Sequence, residues 1–142
     1  MWQTDKDEFV RGYKAAMLWA NAWADNAWEE DGEMIPLGEH PTLSPTIYDF
    51  SEDADREVLE DCENFLSYDL GDCLVSDLIS SLERLYGYTF EQAGHDFALT
   101  RNHHGTGFWD RGLGVAGETL TYAAHTFGES SLWVDVDGVH PL

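Results

Sequence analysis

Between His95 and Gly114 the chain reads HDFALTRNHHGTGFWDRGLG, and this stretch gathers the side chains best able to do chemistry. His95, His103 and His104 supply imidazoles that titrate near neutrality, Asp96 and Asp110 supply carboxylates, and Arg101 and Arg111 supply guanidiniums that grip anionic oxygens two at a time. Asn102 adds an amide, and four glycines permit backbone shapes closed to other residues, so the stretch reads as a shaped loop. Such a set suits a small enzyme, or a binding protein for a phosphate- or nucleotide-like anion. A metal fits it poorly: His103 and His104 are neighbours whose side chains diverge, and no cysteine or H-E-x-x-H pattern completes a zinc set. The residues favour a structural reading, in which Arg101 and Arg111 pair with Asp96 and Asp110 to hold a tight loop anchored by Phe108 and Trp109.

A second constellation bears on binding. The chain carries 28 Asp+Glu against 7 Lys+Arg, a net charge of −21, far beyond what solubility asks of a small domain. Such a field repels nucleic acid and anionic membranes and attracts basic protein surfaces. The excess is uneven: residues 25–77 hold 17 acids and a single base, Arg56. Within them Ser51 is placed to cap a helix whose first turn holds Glu52, Asp53 and Asp55. Helical spacing then puts Val58, Leu59, Cys62, Phe65 and Leu66 on one face and Asp53, Glu57, Glu60, Asp61 and Glu63 on the opposite arc.

Carboxylates three or four residues apart on a helix lie about 5–6 Å from one another, comparable with phosphate spacing along a nucleic-acid strand. Asp49, Glu52, Asp53, Glu57, Glu60, Asp61 and Glu63 therefore form a candidate binding array. Its expected partner is the basic surface of a host nucleic-acid-binding protein, blocked by mimicry, and the plainer alternative is a solvated helix face. Asp49, Ser51, Asp53, Asp55, Glu57 and Glu60 also echo a calcium loop, but Ala54 stands where that loop needs glycine. No metal or cofactor is expected.

The elements that must position these residues follow from period and punctuation. At 142 residues with 43% hydrophobic content, the chain is one domain with enough apolar mass for a core. A Thr4–Asp7 capping box predicts a first helix over 5–29, with Trp19, Trp23 and Trp28 as core or interface residues. Residues 31–50 contain Pro36, Pro41 and Pro45, which predicts a loop pinned by Met34, Ile35, Leu37, Leu43, Ile47, Tyr48 and Phe50. The helix after Ser51 comes next, then one over 72–86 with Leu74, Leu78, Leu82 and Leu85 inside and Gly87 as its stop.

Thr89 and Gln92 open a fourth helix that turns Phe90, Ala93 and Phe97 inward and frays near Thr100. A fifth runs from Leu113 to Phe127, and Asp137-Gly138 marks a hairpin between Leu132 and His140, to which 107–109 could add a short strand. The fold class is α+β, mostly helical with about five helices, with a small C-terminal antiparallel sheet or hairpin. Cys62 and Cys73 read as two buried, reduced thiols. With no apolar run near 18 residues and no leader pattern, the expected setting is cytoplasmic.

One resemblance is specific. The segments EQAGHDFALTRNHHGTGFWDRGLG and GETLT, with the aromatic-containing strand before Asp137-Gly138, resemble a family of small proteins encoded by tailed bacteriophages. The resemblance covers about the C-terminal third of the chain and implies a phage gene acting in a bacterial host. It implies no activity, and the acidic residues 25–77 lie outside it.

Overall fold

Two glycines let two helices pack backbone to backbone. In the computed structural model, which describes residues 2–24, 27–30, 33–36, 46–130, 132–135 and 138–141, helix α1 is Trp2–Ala24 and helix α4 is Phe90–Arg101. A Cβ on Gly12 of α1 would stand 1.9 Å from the Glu91 carbonyl oxygen, and one on Gly94 of α4 would stand 1.9 Å from that of Phe9. The helices thus meet backbone to backbone, a contact only glycine allows.

Around this crossing the core is aromatic. Phe65 and Phe97 stack with centroids 4.0 Å apart, and Phe127 meets both edge-on at 5.6 and 5.5 Å. Phe9, Tyr13 and Phe108 complete the buried cluster. Helix α2 (Glu52–Leu66) turns Ala54, Val58, Cys62, Phe65 and Leu66 into it. Helix α3 (Val75–Tyr86) adds Val75, Ile79 and Leu82, and helix α5 (Val115–His125) adds Leu120, Ala123 and Ala124. Because α4 is enclosed by α1, α3 and α5, it is buried on almost every side, including its polar residues Asp96, Thr100 and Arg101.

Two antiparallel hairpins flank the helices. Strands β1 (Ala27–Glu30) and β2 (Glu33–Pro36) pair with Glu30 opposite Glu33, and β3 (Leu132–Asp135) pairs with β4 (Gly138–Pro141). The chain entering α2 runs beside β4: Ser51 N–H donates to Val139 O at 2.7 Å and Val139 N–H donates to Asp49 O at 2.8 Å. The architecture is therefore α+β and mostly helical, with five helices among the described residues and a C-terminal hairpin.

Several local expectations change. The first helix starts at Trp2 and ends at Ala24, so Thr4 lies inside it, where Gln3 rather than a cap donates to Asp7 at 3.0 Å. Residues 27–36, divided in the sequence reading between that helix and a loop, form the β1–β2 hairpin. Leu37 and Leu43 lie outside the described residues, as do Asp137 and the side chains of Trp23 and Trp28. Trp19 is exposed. In α3, Asp77 takes the Leu74 N–H at 3.0 Å, which makes Leu74 the cap; the inward stripe is Val75/Ile79/Leu82, and Leu74 and Leu85 face solvent. Residues Phe108–Asp110 form a 3-10 turn instead of a strand. Both cysteines are free, but only Cys62 is fully buried, where desolvation pushes its thiol well above the ordinary range.

Candidate functional site

The acidic helix stands as its caps require, with Ser51 Oγ accepting from Ala54 N–H at 3.1 Å. Its carboxylates are less free than their spacing suggests. Asp53 pairs with Arg56 at 3.0 Å, Glu63 with Lys6 at 3.2 Å, and Asp55 with Lys14, whose ammonium also lies over the Phe50 ring. Asp49 closes its own turn by accepting Thr46 N–H at 2.6 Å, and Glu57 receives Ser130 Oγ–H at 3.5 Å. Glu52 and Glu60 face solvent. Asp61 leaves the array: its carboxylate turns inward to Arg101 at 2.8 Å and keeps 25% exposure.

Arg101 is the buried hub. Its guanidinium donates to Asp61, to the Tyr13 hydroxyl at 3.1 Å, and to the carbonyls of Gly128 and Phe127 at 2.9 and 3.2 Å, beside the Phe97 ring. All three nitrogens are engaged and the side chain is 5% exposed, so this arginine ties together α1, α2, α4 and the segment just after α5. Its partner is Asp61, forty residues away, and not Asp96 or Asp110.

Asp96 is equally committed. At 1% exposure it accepts Arg111 Nε at 3.0 and 3.2 Å, Arg111 Nη2 at 2.7 Å, and the Tyr88 hydroxyl at 2.6 Å. Burial, reinforced by Asp96, pushes the Tyr88 phenol far up, so it stays protonated and donates. The Arg111–Asp96 half of the expected loop clamp is therefore present, and Asp110 is exposed and outside it. Of the two expected anchors only Phe108 is buried; Trp109 is 44% exposed and covers Gly107, whose added Cβ would meet its ring at 2.7 Å. Asn102 holds the segment from the other side, donating to Ala98 O at 2.9 Å and accepting Ser130 N–H at 2.7 Å.

The three histidines separate. His103 takes a left-handed backbone (φ 57°) and stacks on His125 with centroids 4.7 Å apart, beside a groove of about 340 Å³ that includes Trp109 and Thr121. The two rings meet face to face, and imidazole lone pairs lie in the ring plane, so no lone pair points into the space between them to hold an ion. His104 is held by its backbone, N–H to Leu99 O at 3.0 Å. Among the described residues no three His, Cys, Asp or Glu side chains converge as a metal site.

His95 lies elsewhere, in a cleft of about 330 Å³ between α1 and the first turns of α4. Gly12 and Ala15 form the α1 wall, Thr89, Glu91 and Gln92 the rim, and Asp96 and Arg111 the end. Burial lowers the His95 imidazole below its ordinary 6.5, with Asp96 opposing and Arg111 assisting. The sequence reading missed this wall: Gly12 and Ala15 carry no chemistry, and the signal available was an isolated glycine inside a helical pattern.

No family model, curated protein or solved structure matches the chain. No described helix is long and apolar enough to cross a membrane.

Proposed function

We propose that the chain is a phage-encoded accessory protein that binds the basic, nucleic-acid-binding surface of a host protein and blocks it by acidic mimicry. The observation that carries this reading is the disposition of the cations. Five of the seven Lys and Arg side chains, Lys6, Lys14, Arg56, Arg101 and Arg111, are held in intramolecular ion pairs, which leaves the surface to an excess of carboxylates. The resemblance to tailed-phage proteins supplies the biological setting, and a host defence protein is the fitting target.

On α2 the usable array is Glu52, Asp53, Glu60 and Glu63, since Asp61 neutralises Arg101 and Glu57 is partly covered. Exposed pairs such as Asp53–Arg56 cost little to exchange for a partner's arginine. An enzyme working through 95–111 has less support, because Arg101 and Asp96 are buried and committed to intramolecular partners.

The test is capture of host proteins by the tagged chain, with release by rising salt and by competitor DNA. A nucleic-acid-binding protein should elute in both, and its affinity should fall at least tenfold when Glu52, Asp53, Glu60 and Glu63 are changed together to Gln or Asn with the fold intact. Undiminished capture by that variant overturns the α2 assignment.

A further inference from the structure

The His95 cleft has the features of a small-molecule site that the acidic surface does not explain. Arg111 meets Asp96 side-on, through Nε and Nη2. That leaves Nη1 and the outer Nη2 hydrogen without an acceptor among the described residues, on a guanidinium whose side chain is 38% exposed and borders the cleft. The buried carboxylate, itself fixed by Tyr88, holds this second donor edge in one orientation, so binding there needs little reordering. Beside it, the half-buried His95 imidazole has no hydrogen-bond partner among the described residues; kept neutral by burial, it offers one donor and one acceptor.

The pattern of charges selects the ligand. A free two-donor guanidinium edge matches a carboxylate. A di- or triphosphate is disfavoured, because Arg111 is already neutralised by Asp96, Glu91 stands at the rim, and the whole chain is at −21. A molecule carrying its own ammonium answers both constraints. The small Gly12–Ala15 wall and a volume of about 330 Å³ suit a compact ligand. We infer that this cleft binds a small zwitterion of the α-amino-acid type, free or as a short peptide, with its carboxylate on Arg111, its ammonium toward Glu91, and His95 bonding the groups between.

The experiment is calorimetric titration of the intact protein with the free amino acids and with glycyl dipeptides, alongside their N-acetylated and C-amidated forms, inorganic phosphate and ATP. At least one zwitterion should bind, and blocking either end should weaken it at least tenfold. Glu91→Gln should weaken it similarly, and Ala15→Leu, which fills the cleft from an exposed position on α1, should abolish it, as should His95→Ala. Arg111 is left intact because its removal strands buried Asp96. Absence of binding by every zwitterion, binding that survives Ala15→Leu, or tighter binding of phosphate or ATP would each overturn the proposal. Capture of a basic host protein is read separately: it should survive Ala15→Leu and fail in the α2 variant, so the two readings can fall independently.

Discussion

Helix α2 and the 95–111 segment use the same ion-pair chemistry at opposite degrees of burial. On α2 the Asp53 and Arg56 side chains are 73% and 67% exposed, whereas in the other region one member of each pair is buried, Asp96 at 1% beside Arg111 at 38% and Arg101 at 5% beside Asp61 at 25%. An exposed pair is screened and contributes roughly 0–1 kcal/mol, so its partners can exchange it for another charge. A pair with one buried member is different, because removing its partner strands a desolvated charge at a cost of about 3–5 kcal/mol. Asp96 and Arg101 are therefore bound into the architecture, and α2 carries the more exposed carboxylates.

That contrast can be broken most directly at Arg111. Arg111→Ala leaves Asp96 buried with Tyr88 as its remaining partner, and urea denaturation should show a loss of about 3–5 kcal/mol. Next comes the crossing that seals the region: Gly12→Val or Gly94→Val must push backbones apart and should cost about 3 kcal/mol, visible in the same assay. Arg56→Ala, by contrast, should cost less than about 1 kcal/mol, and any cost should fade in high salt. A penalty at Arg56 comparable with that at Arg111 would erase the distinction between the two regions.

The smallest expected effect is a pH slope from His95. Because its folded-state affinity for protons is lowered, the unfolded chain takes up the proton first as pH falls through its ordinary 6.5. Stability should therefore decline below that pH and level off once the folded imidazole also protonates, and His95→Gln should flatten this part of the profile.

Two helix starts stand where their caps predict. The Ser51 cap is present, and so is the reciprocal Thr89–Gln92 box, with Gln92 N–H to Thr89 Oγ1 at 3.1 Å and Thr89 N–H to Gln92 Oε1 at 2.9 Å. The β1–β2 hairpin was missed although Asp31-Gly32, between Glu30 and Glu33, is the same dipeptide signal that identified the C-terminal hairpin. The helical spacing of alanines and tryptophans running into residue 28 masked it. In α3 both a Leu74/Leu78/Leu82/Leu85 stripe and a Val75/Ile79/Leu82 stripe fit a helix, and tertiary packing buries the second, with Leu74 left before the helix as its N-cap.

By itself the sequence determined the main helical segments, the Ser51, Thr89 and Gly87 caps and the total charge, because each depends on residues within a turn or two of one another, or on composition alone. Only the tertiary structure decided which charges are sealed. Arg101 finds Asp61 across forty positions and Tyr13 across eighty-eight, and the His95 cleft exists because Gly12 and Gly94 bring α1 against α4. Burial sets the strength of a charge pair, and burial is a property of the packed helices that no local pattern carries.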